Sequence, residues 1–137
     1  MPQNLRERSG AVEALAIGGV RMIEVTFDQA DPEHLEKTAR AIELVKRVSG
    51  GNVLPGAGTV MTAEQVDAAK SAGAFYIISP NTDEAVIRRT KENGLVSIPG
   101  AMTPSEIAAA HNYGADFVKL FPTSQLGPDY VKAISAP

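Results

Sequence analysis

Residues 95–122, LVSIPGAMTPSEIAAAHNYGADFVKLFP, hold a strand, a helix and a second strand in a single run. Leu95-Val96-Ser97-Ile98-Pro99-Gly100 reads as the first strand. Thr103-Pro104-Ser105-Glu106 combines a capping box with proline at the first helical position, and Gly114 ends the helix that it opens. Asp116-Phe117-Val118-Lys119-Leu120-Phe121-Pro122 then reads as a buried strand holding one ammonium. Two strands joined through a helix form a right-handed βαβ unit, which makes them parallel.

Outward from this stretch the same unit recurs. Arg21 to Thr26, Asn52 to Gly58 and Phe75 to Ser79 read as strands. Asp31-Pro32 is an N-cap followed by proline, opening a long helix that runs to Gly50-Gly51. Thr62-Ala63-Glu64-Gln65 is a capping box for a helix ending at Gly73, and Thr82 caps another that stops at Gly94. A short helical pattern over 11–17 precedes the first strand, and a last helix begins at Gly127. The polar residues 1–10 are expected to be poorly ordered, and 1–137 to form a single, partial barrel domain. Five strands at intervals of roughly twenty residues predict an all-parallel sheet. It is either open and doubly wound or part of a (β/α)8 barrel. No G-x-G-x-x-G stands in the chain to favour a dinucleotide fold. The barrel accounts better for the special residues at successive strand ends: Glu24 and Thr26, Gly58 and Thr59, Ser79 and Pro80, Pro99 and Gly100, Lys119 and Phe121. Such ends meet at one mouth, where barrel enzymes keep their chemistry.

Counting by twos puts Phe117, Lys119 and Phe121 on one strand face. An amine desolvated between two rings has its pKa lowered, which leaves free base to attack a carbonyl and form a Schiff base. The alternative is a lysine that snorkels its head into water. Glu24 would share the lumen, and a carboxylate near such an amine can shuttle the protons that imine chemistry needs. Its alternative role is a structural ion pair with Lys119 or that of a solvated edge residue. His34 and His111 stand alone without ligand spacing, so no metal site is expected.

Net charge −3, pI about 5.4 and the lack of a basic run give no footprint for nucleic acid or an anionic membrane. There is no cysteine, so disulfides and thiolate chemistry are excluded. No stretch reads as a signal core or a bilayer span, and the cytoplasm is the default expectation.

Gly18-Gly19-Val20-Arg21-Met22-Ile23-Glu24-Val25-Thr26, Gly56-Ala57-Gly58-Thr59-Val60, Ile78-Ser79-Pro80, Ile98-Pro99-Gly100 with Thr103-Pro104-Ser105-Glu106, and Val118-Lys119-Leu120-Phe121-Pro122 recur in a known order and spacing. In these segments the chain resembles the 2-keto-3-deoxy-6-phosphogluconate aldolases, also called 2-dehydro-3-deoxy-phosphogluconate / 4-hydroxy-2-oxoglutarate aldolases. The resemblance implies a class I aldolase with no metal or cofactor, on a (β/α)8 barrel. It would reversibly cleave a 2-keto-3-deoxy-(6-phospho)gluconate or 4-hydroxy-2-oxoglutarate type substrate to pyruvate and an aldehyde. By the same resemblance Lys119 forms the Schiff base and Glu24 is the general acid/base. Thr59 meets the substrate carboxylate region, while Pro80 and Phe121 shape the wall around the imine. The small-molecule 2-keto acid and pyruvate are the implied partners, with a homo-oligomer, a trimer in intact members, as the implied assembly.

Two departures stand out. Where well-known members have an arginine shortly after the Glu, the chain reads Thr26-Phe27-Asp28-Gln29, and an anion at Asp28 cannot hold a carboxylate. No binding role is carried onto Asp28. Relative to the family, one strand is expected to be missing before Ala11 and two after Pro137, with the loops that normally hold phosphate. Five strands cannot close a barrel of eight, so a competing expectation is a catalytically silent fragment that self-associates through open sheet edges.

Overall fold

The computed structural model describes residues 3–135. Helix α1 (Gln3–Ile17) leads into β1 (Met22–Thr26), then α2 (His34–Val48), β2 (Leu54–Gly58), α3 (Ala63–Ala72), β3 (Tyr76–Ile78), α4 (Glu84–Glu92), β4 (Val96–Ile98) and β5 (Gly100–Ala101). Helix α5 (Pro104–Tyr113), strand β6 (Lys119–Leu120) and helix α6 (Gly127–Ile134) complete the order. All strand pairs are parallel, in the order β1-β2-β3-β4 with β5 pairing β6. Strands β4 and β5 are one strand interrupted at Pro99, which has no N–H to give to a ladder. Its carbonyl still accepts from the Lys119 N–H at 2.9 Å, so β6 continues the same sheet.

One face of the sheet is covered and the other is open. Val25, Ala57 and Ile77 point to the side where Ile42, Val66, Ala69 and Val86 of the helices form the core. The opposite positions, Met22, Leu54 and Val96, are exposed. A doubly wound sheet would have helices on both faces, whereas helices on one face only make an arc of a (β/α)8 barrel wall. The open face is the one that lines a barrel's interior.

Three expectations about element ends shift. Helix α1 starts at Gln3 rather than near Ala11, because Gln, Leu, Arg and Glu are good helix formers even in a mostly polar stretch. Helix α2 starts at His34: Asp31 accepts from the Glu33 N–H at 2.9 Å and pairs with Lys37, shaping a turn ahead of the helix instead of capping it. Asp83 caps α4 by accepting from the Val86 N–H. Thr82 donates instead to the Gly100 carbonyl at 2.8 Å, tying the loop after β3 to β5. The capping box of Thr103 and Glu106 forms as expected.

Candidate active site

The five candidate residues all lie on the open face or at its C-terminal rim. Glu24 sits in the middle of β1, in register with Gly56, while Thr26 is in register with Gly58. The Glu24 carboxyl lies over Gly58, where an added Cβ would be 1.5 Å from Oε1. Gly56 serves Tyr76 in the same way, since a Cβ there would stand 2.2 Å from the ring. The two glycines of β2 therefore form a shelf on which a carboxylate and a phenol rest side by side. Tyr76 is 4% exposed, and its phenol is pushed up to about 12, first by burial and second by the negative charge of Glu24. Among the described residues nothing hydrogen-bonds or pairs with the Glu24 carboxylate, so its oxygens are available to a ligand or water.

Lys119 stands on β6, at the far end of the sheet from β1. Its side chain is half-buried, with Nζ 4.3 Å from the centre of the Phe121 ring. The expected enclosure between two rings is thus a contact with one: Phe117 is 65% exposed on the open face. Glu24 and Lys119 face the same concavity from opposite ends of the arc without forming an ion pair, so the structural salt bridge weighed as Glu24's alternative is not made.

The register that brings Lys119 to this position is pinned by Asp116. Its carboxylate accepts from the Lys91 ammonium at 2.6 Å and from the Ser97 N–H at 2.8 Å, while the Asp116 and Phe117 N–H groups donate to the Ser97 carbonyl. Burial works against ionisation of Asp116, but the bonds from Lys91 and Ser97 outweigh it and hold the carboxyl below its ordinary value. Pro80 fits because residue 100 is glycine: a Cβ at Gly100 would meet the Pro80 carbonyl oxygen at 2.3 Å.

Thr59 adopts φ 54, the one non-glycine residue with positive φ among those described. A β-branched side chain there costs about 1–2 kcal/mol, and such strain gathers at functional loops. The neighbouring peptides are held by Phe27 N–H to the Gly58 carbonyl at 3.0 Å and Val60 N–H to the Ile78 carbonyl at 3.2 Å. Asp28 accepts from the Ala30 N–H at 3.0 Å, so its carboxylate closes a local turn.

Sequence reasoning missed Gln29, Gln65 and Tyr76. Gln65 was legible only as the far end of a capping box. Its backbone N–H does donate to Thr62, but its side chain turns away to Met61 and Gln29. His34 packs its ring at 80° to that of Phe27 and places its Nδ1 3.3 Å from the Gln65 amide nitrogen. An amide nitrogen only donates, so Nδ1 accepts. No group of three potential metal-ligating side chains exists among the described residues. No helix described is long and apolar enough to cross a membrane. A cavity of about 510 Å³ runs along the free edge of β1 between α1 and α2, and of the candidate residues only Glu24 lines it.

The sequence profile described as KDPG and KHG aldolase matches residues 3–137. The chain belongs to the KDPG and KHG aldolase family. Within that family it is 38% identical over 125 residues to the 2-dehydro-3-deoxy-6-phosphogalactonate aldolase of Escherichia coli K12, covering 90% of the chain and 60% of the relative. It is 38% identical over 116 residues to the 2-dehydro-3-deoxy-phosphogluconate aldolase of Treponema pallidum, covering 83% of the chain and 51% of that protein. Among solved structures, the KDPG aldolase of Legionella pneumophila, with pyruvate captured at low pH as a covalent carbinolamine intermediate, superimposes with a TM-score of 0.78. The two are 29% identical over 94% of this chain and 60% of that one. The chain thus spans between a half and three fifths of the length of the curated relatives it matches. Family membership agrees with the geometry, an arc of a (β/α)8 wall whose concave face carries Glu24 and Lys119.

Proposed function

We propose that the chain carries the imine-forming half of a class I aldolase, with Lys119 as nucleophile and Glu24 as general acid/base. The free amine of Lys119 attacks the C2 carbonyl of a 2-keto acid, giving a carbinolamine. Loss of water then gives an iminium ion. In the cleavage direction the C4 hydroxyl loses its proton through water to Glu24, the C3–C4 bond breaks, and its electron pair passes into the iminium as an enamine. The aldehyde leaves, C3 is reprotonated, and hydrolysis returns pyruvate and the free amine. Thr59 meets the substrate carboxylate at the strained turn after β2, and Pro80 and Phe121 wall the imine.

The observation that carries this reading is the shared concave face: the two ends of the parallel arc present one amine and one carboxylate, neither neutralised by the other. Names of the relatives point to 2-keto-3-deoxy-6-phospho sugar acids as the substrate class, and the carbinolamine held by the Legionella pneumophila enzyme is the kind of intermediate that attack by the amine gives. A homo-oligomer, a trimer in intact members, and a cytoplasmic setting belong to the same proposal. The competing reading, a silent fragment that self-associates, shares the exposed Met22, Leu54, Val96 and Phe117 as its support.

Adding pyruvate and borohydride to the purified chain and reading its intact mass separates the two. The expected product is a single adduct that maps to Lys119, is lost in Lys119→Ala and persists in Lys132→Ala. A folded chain that takes no adduct refutes the proposed activity.

A further inference from the structure

Two glutamine side chains close a directed circuit around the strained residue. The Met61 N–H donates to Gln65 Oε1 at 2.7 Å, Gln65 Nε2 donates to Gln29 Oε1 at 2.8 Å, and Gln29 Nε2 donates to the Thr59 carbonyl at 2.7 Å. Both ends of the circuit are backbone groups of one short loop, residues 59–61. Their chemistry fixes the sense of every bond between them: an N–H can only donate, a carbonyl can only accept, and each amide must point accordingly. Gln65 is 1% exposed, so its amide stays buried only because both ends are satisfied. Its second N–H faces His34 Nδ1 at 3.3 Å, which fills the remaining donor. The circuit joins four parts of the chain: the loop after β1, the first turn of α2, the loop after β2 and the first turn of α3.

We propose that Gln29 and Gln65 are positioning residues that lock Thr59 in its left-handed conformation, and so set the affinity of the site for the carboxylate of a 2-keto acid. The locking stands on the geometry alone, and the carboxylate rests on the aldolase reading. Without the circuit the loop loses the bonds at Thr59 and Met61 that oppose the strain, and Thr59 relaxes towards ordinary backbone angles, carrying its hydroxyl and N–H away from the mouth. The effect falls on binding, because neither glutamine reaches Lys119 or Glu24.

Gln29→Met and Gln65→Met keep the side-chain length and remove the bonds. Amide hydrogen exchange and borohydride trapping over a pyruvate series are measured on both variants and the parent chain. Expected are a Met61 amide that exchanges at least about tenfold faster in Gln65→Met, and a half-saturating pyruvate concentration raised about tenfold in both variants with the same trapping plateau. A cycle with Thr59→Gly, read by urea unfolding, isolates the strain. Glycine adopts this backbone freely and has no strain to release when the bond is lost, so Gln29→Met should shift the midpoint more in the Thr59→Gly background than in the parent, where relaxation of Thr59 offsets part of the loss. Folded variants with unchanged Met61 exchange and an additive cycle would overturn the locking; unchanged pyruvate dependence would overturn its link to binding. If the parent chain itself traps no pyruvate, the aldolase reading fails, while exchange and the cycle still decide the lock.

Discussion

Gly58→Ala tests the shelf beneath Glu24 most directly. The added methyl carbon would lie 1.5 Å from Glu24 Oε1, 2.4 Å from Cδ and 2.8 Å from Cγ, and such contacts essentially never close below 3.0 Å. The carboxylate must therefore move by at least 1.5 Å, the difference between those two distances. Its side chain is exposed on the open face and bonded to nothing described, so it swings away at little cost. Backbone conformation does not object either, because Gly58 is not among the positive-φ glycines. Stability should stay close to that of the parent, within the about 0.5–1 kcal/mol that reduced chain entropy contributes. Displacing a catalytic group by about 1 Å costs on the order of a hundredfold in rate, or about 2.7 kcal/mol of transition-state stabilisation. The assay pairs the melting temperature with the rate of borohydride trapping at saturating pyruvate. The expected result is an unchanged melt with trapping slowed about a hundredfold, comparable to Glu24→Gln. A parent-like trapping rate from Gly58→Ala, with Glu24→Gln slow, would refute the claim that this carboxylate position matters. A parent-like rate from both would remove Glu24 from the chemistry altogether.

Gly56→Ala, two residues earlier, has the opposite signature: the methyl meets the buried Tyr76 ring at 2.2 Å, so overpacking should destabilise by about 1–3 kcal/mol in urea unfolding. Gly100→Ala should cost more, because the atom it meets at 2.3 Å is the Pro80 backbone oxygen, which cannot rotate aside. Ultraviolet titration should show one tyrosine ionising only near pH 12, and Tyr76→Phe should remove that step. Since the folded value is raised from 10.0 to about 12, the stabilisation linked to Tyr76 is complete below about pH 10 and lost as pH climbs through 12. Asp116 has the reverse sign: its folded value lies below 3.8, so its contribution is present above that pH and lost as pH falls through the folded value. Asp116→Asn should accordingly flatten the acid limb of the stability curve, and an unchanged limb would show that the Lys91 contact carries no linkage.

The alternation of strands and helices was legible because each helix announces itself locally, through Thr62, Thr103 and the glycines at 73 and 114, which do cap their helices. Thr82 misled because a hydroxyl ahead of a helix looks like a cap whether it bonds its own N-terminus or the Gly100 carbonyl across the sheet. Lys119 and Glu24 were legible as a charged residue in each of two apolar strands. Their surroundings were not, and Phe117 proved exposed where period-two counting had placed it around the amine. The contact between Gln29 and Gln65 carried no local signal, since they lie thirty-six positions apart and meet only when α3 packs beside the loop after β1.

By itself the sequence determined the parallel strand–helix repeat, the family's motifs and which strands carry a lone amine or carboxylate, all set by contacts within a turn or by residue type. Tertiary structure alone decided which face of the sheet stays open, what rests on Gly56 and Gly58, and how Thr59 is held in its strained turn. Those outcomes depend on atoms distant in the chain, whose approach is settled by packing of helices on one side of the sheet and by the direction each hydrogen bond is free to take.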